Sequence, residues 1–467
     1  MYAAIDQRKS VRESYLDRLL TMGELTRQEA DSISEVRQNK LSQEFESAKK
    51  EQYVSDLQSL GGFWSGFFGG PEPEGESPPT GIPGALAQDL LHKLSQLPSG
   101  FQLQKKLQRV FELRAEMAQG TRPLDWATAE LLAFATTLID GHTVRLSGQD
   151  CERGTFSQRH AVLHDTVDNT EYMPLQHLSP GQGRVEIINS PLSEAGVLGF
   201  EYGYSLDCPE GLVAWEAQFG DFWNVAQPIV DQFIVSAEDK WRRLSRLVML
   251  LPHGFEGQGP EHCSARLERM LMATAEHNIQ VCQPTTPAQY FHLLRRQVRS
   301  RWSKPLIVLT PKSLLRHPSV VSELKEFESG HFRKVLAESR TPDQPPVKRI
   351  LMCSGKAYYE LLEDRQKRGL QSVALVRIEQ FYPLTPKLIM DALSAYPAGT
   401  EVVWFQDEPT NMGGWTHIKM RFGDAITARH PLRSISREES ASPSTGSAST
   451  HKLEQQEILD AAFAGLT

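Results

Sequence analysis

The chain has 467 residues, of which 40% are hydrophobic and 23% charged, an ordinary globular balance with room for two or three domains. A net charge of −8 gives no global attraction to nucleic acid or to an anionic membrane, and no stretch approaches the run of about 18 apolar residues that a membrane helix needs. The five cysteines (Cys151, Cys208, Cys263, Cys282, Cys353) are scattered, with no Cys-x-x-Cys pair, and the first residues lack the layout of a secretory signal. This speaks against a structural zinc site and a disulfide framework, and for a reducing, cytoplasmic compartment.

In chain order, residues 1–60 are polar with spaced apolar positions, which predicts a helix hairpin on a surface or in a linker. Thr26 and Glu29 stand three apart, the spacing of a capping box. Glycine and proline crowd residues 61–85, so a long loop is expected, with its aromatic residues anchoring it to a neighbouring surface. A helical pattern resumes from Leu86 to Gly141. Leu247–Leu251 and Leu306–Leu309 are short, continuous apolar runs bounded by turns, as in strands buried on both faces of a parallel sheet. Helical patterns at Ala265–Asn278 and Ala288–Arg301 alternate with them. In the last third Arg349–Cys353, Val373–Ile378 and Val402–Phe405 read as strands and Lys356–Arg368 as a helix, a small doubly wound unit. Residues 336–347, with Pro342, Pro345 and Pro346, read as a linker before it. The tail Ser440–Thr450 reads as disordered, or as an extended segment lying on a partner. The fold class is therefore α/β, in three parts: a helical connector over 1–120 with its loop at 61–85, an α/β domain over 121–335, and a smaller one over 345–467.

Four stretches are denser in polar, glycine and aromatic residues than a plain core requires: Arg145–His160, Asn189–Tyr204, Trp215–Phe222 and His253–His262. Loops at strand ends of an α/β sheet are where binding groups gather. The blocks Arg145–His160, Pro191–Tyr204, Trp215–Asp231 and Leu251–Arg269, continued by Thr286–Gln289, Thr310–Pro318 and Gln406–Gly413, resemble the thiamine-diphosphate-dependent first component of 2-oxoglutarate dehydrogenase. The resemblance covers roughly residues 125–467, and such long ordered blocks are far more specific than a lone glycine motif. It implies a pyrimidine-binding domain, then a transketolase-like C-terminal domain, after a helical linker.

Thiamine diphosphate is the cofactor so implied. Its aminopyrimidine needs a carboxylate at the far ring nitrogen, and the family places that glutamate after a Pro-Leu-Ser triplet, at Glu194 here. A buried, uncompensated Glu194 would hold a proton and donate it to the ring; the alternative is a glutamate that caps the helix following Ser193. Phe222 and Phe219 are the candidates for an aromatic face on the ring, with core packing as their ordinary alternative. His262 falls where the family has an active-site histidine, suited to hydrogen-bonding a 2-oxo acid and moving protons at neutral pH. His160 and Gln218 are candidates for lining the substrate pocket, and His253 is a weaker one.

The family holds the diphosphate through a divalent metal on a Gly-Asp-Gly motif with a downstream Asn. Gly220-Asp221-Phe222 and Gly423-Asp424-Ala425 lack the second glycine, so no metal ligand is assigned here and the magnesium ligands are expected on a missing segment or another chain. The resemblance then implies a split subunit or truncated chain, working as a homodimer or heterotetramer with a diphosphate-binding domain and with the dihydrolipoyl succinyltransferase component. A 2-oxoadipate-type dehydrogenase component and a non-catalytic fragment or assembly partner are the competing readings.

Overall fold

The structure, a computed structural model, describes residues 2–50, 62–73, 75, 77–341 and 344–466. The chain divides into two units, Met1–Ser59 and Leu60–Thr467.

The first unit is built from helices Tyr2–Asp6, Val11–Met22 and Arg27–Ala48. The expected capping box is present: Thr26 accepts from the Glu29 amide while the Glu29 carboxylate accepts from the Thr26 amide, and Ser10 with Glu13 repeats the device. Gly23, with φ of 72°, ends the second helix in the left-handed conformation open to glycine. Arg12 Nη2 donates to Ser34 Oγ at 3.0 Å, so the two longer helices form the expected hairpin. None of the described residues in these helices is buried.

In the second unit the described strands run in chain order as β1 (Val144–Gly148), β2 (Leu163–His164), β3 (Glu171–Tyr172), β4 (Val185–Asn189), β5 (Leu212–Glu216), β6 (Val248–Pro252), β7 (Gln280–Cys282), β8 (Leu306–Thr310), β9 (Val335–Ala337), β10 (Arg349–Cys353), β11 (Val373–Ile378), β12 (Gln380–Tyr382), β13 (Glu401–Pro409) and β14 (Leu432–Arg437). A seven-stranded sheet has the order β12-β7-β8-β6-β5-β1-β4, and a five-stranded sheet the order β14-β13-β10-β11-β9. Neighbours are parallel except at one edge of each sheet, where β12 pairs antiparallel with β7 and β9 with β11. The two sheets thus exchange edge strands. β12 leaves the last third of the chain to extend the first sheet, and β9 precedes the second sheet in sequence but completes it. One apolar cluster runs through both, joining Leu247, Met249, Val281 and Ile307 to Ile350, Met352, Val376 and Trp404. On the other face of the large sheet, helices Trp126–Ile139 and Pro287–Arg299 are buried along almost their whole length. There the Trp126 and Tyr290 rings stack with centroids 4.7 Å apart.

Three segments differ from expectation. The helix expected over 265–278 is only Leu267–Met272. Arg266 (φ 54°), Glu276 (φ 50°) and His277 (φ 59°) turn the backbone left-handed on either side, and Asn278 Nδ2 closes the turn on the Ala273 and Val235 carbonyls. The linker expected at 336–347 includes most of β9, because Leu336 is buried against the second sheet. The tail is ordered on the chain itself: Asn411 and Ser440 exchange two hydrogen bonds of 3.0 Å, and Ser447 caps a helix over Ala448–Phe463 that buries Ile458, Ala462 and Phe463. Within 61–85, the described residues include a 3-10 turn over Gly62–Trp64 and, from Gly84, the start of the helix Gly84–Leu94. Phe67 is buried under Arg246 and Arg301, and Trp64 Nε1 donates to the Leu206 carbonyl at 2.7 Å.

Candidate active site

Strands β6, β5, β1 and β4 are consecutive and parallel, so their C-terminal ends open on one edge of the sheet. The four stretches singled out in the sequence follow these ends. Phe219 and His262 meet edge to face with centroids 4.6 Å apart and planes at 90°; Phe222 and His262 are 5.7 Å apart, and Phe219 and Phe222 5.8 Å. Phe156, from the loop after β1, adds a fourth ring 5.6 Å from Phe219. All four are half-buried, which leaves their faces available to a ligand.

Backbone economy brings the rings together. A Cβ on Gly220 would lie 2.5 Å from the Pro252 carbonyl and 2.6 Å from Ala265 Cβ, so only glycine lets the loop after β5 lie against the end of β6. Asp221 Oδ1 then accepts from the amides of Cys263 (3.3 Å) and Ser264 (3.1 Å), and burial pushes its carboxyl above the usual range. The buried Trp223 donates to the Ala265 carbonyl at 2.7 Å. From the other side the buried Lys312 donates to the His262 carbonyl (2.6 Å) and to Gln258 (2.9 Å); burial lowers its pKa.

Glu194 is the first residue of the helix Glu194–Asp207, where a carboxylate meets the positive end of the helix dipole. It is half-exposed, not buried as the sequence suggested, because Pro191, Leu192 and Ser193 just before it stand in solvent on the open sheet edge. Nor is it uncompensated: Gln149, from the end of β1, donates to Glu194 Oε1 at 3.0 Å. Ser193 makes no side-chain cap bond to this helix.

The remaining candidates are placed differently. His160 is buried with φ of 46°, and its Nε2 lies 3.0 Å from the Ser157 carbonyl of its own loop. Burial, then the nearby Arg114, lowers its pKa. It serves the turn, and the structure does not bring it into the aromatic cluster. Gln218 is half-exposed beside Phe219. His253 is buried, with Nε2 2.9 Å from Glu408 Oε1.

Beneath the site lies a buried ion network that sequence reasoning passed over. Arg159, 1% exposed, donates to Glu130 (2.6 Å) and Glu216 (2.6 Å), and Tyr290 donates to Glu130 at 2.8 Å. Phe156, Asp221, Gln149 and Lys312 were also missed as site residues, although each lies in or beside a quoted block. A lysine after an apolar strand reads as a solvated side chain, and no spacing announces that Lys312 is 3% exposed with its ammonium on the His262 carbonyl. Among the described residues there is no group of three or more His, Cys, Asp or Glu placed to hold a metal ion, and no helix long and apolar enough to cross a membrane.

Residues 122–318 match the sequence family described as transketolase, pyrimidine binding domain, and residues 321–463 the family described as 2-oxoglutarate dehydrogenase C-terminal. The 2-oxoglutarate dehydrogenase E1 component of Rickettsia felis is 46% identical over 467 residues, covering 99% of this chain and 47% of the relative. The protein of the same name from Azotobacter vinelandii is 44% identical over 473 residues, with 99% and 49% covered, and that from Cupriavidus necator 48% identical over 391 residues, with 83% and 41% covered. The chain spans about half the length of the curated relatives it matches. With the two matched domains in this order, the chain belongs to the family of the 2-oxoglutarate dehydrogenase E1 component and corresponds to its C-terminal portion.

Proposed function

We propose that this chain supplies the aminopyrimidine side of a thiamine diphosphate site for oxidative decarboxylation of 2-oxoglutarate, with succinyl transfer to the lipoyl arm of a dihydrolipoyl succinyltransferase component. The observation that carries the reading is the half-exposed Glu194 carboxylate on the same open sheet edge as the half-buried Phe219, Phe222 and His262. When bound, thiamine diphosphate supplies the carbon nucleophile that attacks the 2-oxo group. Glu194 would hold the proton at the far pyrimidine nitrogen; Gln149 occupies one carboxylate oxygen and orients the group. Phe219 and Phe222 offer the ring an apolar face and keep water from it. His262, its backbone pinned by Lys312, would hold or move a proton at the substrate oxygen. Gln218, next to Phe219 in the chain, would line the substrate pocket, and His160 would do so only from its own turn. The working units would be residues 121–335 and 345–467, after the connector.

The diphosphate and its magnesium ion would be held by a Gly-Asp-Gly domain elsewhere, closing the edge as a homodimer or heterotetramer. The five cysteines are free thiols, as a cytoplasmic compartment would keep them.

The test is reconstitution. The chain is mixed with a candidate diphosphate-domain protein, thiamine diphosphate, Mg²⁺ and 2-oxoglutarate, and CO₂ release is measured, with 2-oxoadipate in a parallel reaction. Glu194→Gln should cut the rate by roughly 10²–10⁴-fold, with an unchanged unfolding midpoint because the side chain is half-exposed. Full activity in that variant overturns the reading. A preference for 2-oxoadipate moves the substrate, and silence with every partner favours an assembly role.

A further inference from the structure

We infer that His253 is a positioning residue for His262, and that Glu408 of the second sheet sets its tautomer; the role of His262 in this inference rests on the reading above. The segment after His262 turns back onto β6, and its amides need acceptors once buried. Asp221 takes the amides of Cys263 and Ser264, and the Ala265 amide donates to His253 Nδ1 at 3.1 Å. An amide only donates, so Nδ1 must offer a lone pair and the ring proton must sit on Nε2. Nε2 faces Glu408 Oε1 at 2.9 Å, with both side chains buried, at 4% and 8% exposure. A buried carboxylate there demands a donor, which locks the tautomer that Ala265 requires.

The consequence is that the second sheet reaches the loop that carries His262. Glu408 stands near the end of β13. Around it the contact continues: Gly413 N–H donates to Glu268 at 3.0 Å, Arg266 Nη1 lies 3.8 Å from Met412 Sδ, and the Arg437 guanidinium lies over the Phe255 ring at 5.4 Å. Lys312 and Asp221 also hold the loop, but both belong to the first sheet. The Glu408–His253–Ala265 chain is therefore a path by which the position of the second sheet is imposed on the backbone three residues from His262. A relay of this form acts through His262; it touches no substrate.

The test uses the full chain with nitrogen-15-labelled histidine. The wild-type spectrum should show His253 with an unprotonated Nδ1 and a protonated Nε2. Glu408→Ala should populate both tautomers and speed exchange of the Ala265 amide roughly tenfold, the scale of one lost buried hydrogen bond. His253→Leu should do the same to that amide, whereas His253→Asn, which keeps an acceptor, should restore protection to within about threefold. In the reconstituted enzyme His253→Leu should lower kcat about tenfold or more with KM little changed, and His253→Asn should recover most of it. A merely structural link would lower the unfolding midpoint without this split or rescue. A protonated Nδ1 in the wild type overturns the inference, as does a folded Leu variant with unchanged amide protection and kcat. If His253→Leu does not fold, the wild-type spectrum and the Asn variant still decide. If His262→Ala retains full CO₂ release, the reading of His262 has failed, and the tautomer and amide measurements judge the positioning link separately.

Discussion

At the ends of β5 and β6 in the seven-stranded sheet, the side chains stand half-open: Phe219, Phe222 and His262 meet edge to face, and beside β1 the side-chain donor to Glu194 among the described residues is the neutral amide of Gln149. At the ends of β10 and β13 in the five-stranded sheet, the side chains are more heavily charged, and they are closed upon one another. Lys356 Nζ lies 2.6 Å from Glu360 and 3.0 Å from Asp407, and Gln455 donates to Asp407 at 2.8 Å. Burial works against the Lys356 charge, yet Asp407 and Glu360 hold its pKa above the usual range. Burial likewise opposes the Asp407 charge, which Lys356 and Arg437 hold below the usual range. Both clusters lie at the carboxyl ends of parallel strands, where α/β proteins put their sites. The difference is that one set is paired internally and the other stands half-exposed. Topology nominates an edge, and only unsatisfied, accessible chemistry makes it a site.

That contrast predicts opposite responses to mutation. Whereas loss of Glu194 should cost activity and little stability, Lys356→Met should leave the buried Asp407 carboxylate without its ion-pair partner and the half-buried Glu360 without its own, and cost about 3–5 kcal/mol of stability. Urea unfolding of the full chain measures this. A loss under about 1 kcal/mol, the range of an exposed pair, would mean that the second cluster is as open as the first and would dissolve the distinction.

Burial itself should look alike on the two sheets, which sharpens the comparison. His292, beside the large sheet, bridges Thr80 Oγ1 and the Glu326 carbonyl at 2.8 Å each, and His417, beside the small one, faces the Phe381 carbonyl at 3.2 Å. Burial lowers both to about 4. In the unfolded chain these rings titrate near 6.5, so acid protonates the unfolded state first. Stability is therefore complete above pH 6.5 and falls as pH drops towards 4, by up to about 3 kcal/mol for each ring. Urea midpoints at pH 7 and pH 4.5 should show His292→Gln and His417→Gln each removing part of the acid loss. A loss confined to one variant would show that only one of the two environments resists charging.

How legible these regions were follows from the same physics. The strands β6, β8, β10, β11 and β13 announce themselves because their interiors are apolar runs. β1 and β5 do not, because they carry Arg145 and Glu216, charges that the fold pairs with Glu201 and Glu186 and with Arg159. A pattern of burial cannot be read through a buried ion pair whose partner is tens of residues away. β12 was invisible for a related reason: its pairing with β7 is set by the meeting of two sheets, and three residues carry no period of their own. In the candidate site, Glu194, His262, Phe219 and Phe222 were singled out through ordered motif blocks, and the last three meet in one cluster of rings. Asp221, Lys312 and Phe156 sit in or beside the same blocks, but their roles depend on which backbone each one faces.

The seam between the two regions offers the finest test. Gly257, in the loop leading to His262, has φ of 73°, and a Cβ there would lie 3.2 Å from Cδ2 of His451, on the terminal helix that covers the small sheet. Gly259, two residues on, has φ of 94° with nothing within 4 Å of such a Cβ. Alanine at either position should cost about 1 kcal/mol in backbone strain alone. Only Gly257→Ala also pushes on His451, which approaches Arg437 through its Nδ1 at 3.2 Å. Amide exchange in the first turn of the Ala448–Phe463 helix should therefore quicken in Gly257→Ala and stay at the wild-type rate in Gly259→Ala, although both bear the same backbone strain. Equal exchange in the two variants would show that the loop and the terminal helix merely lie side by side, and that the open and closed strand ends do not communicate at this point.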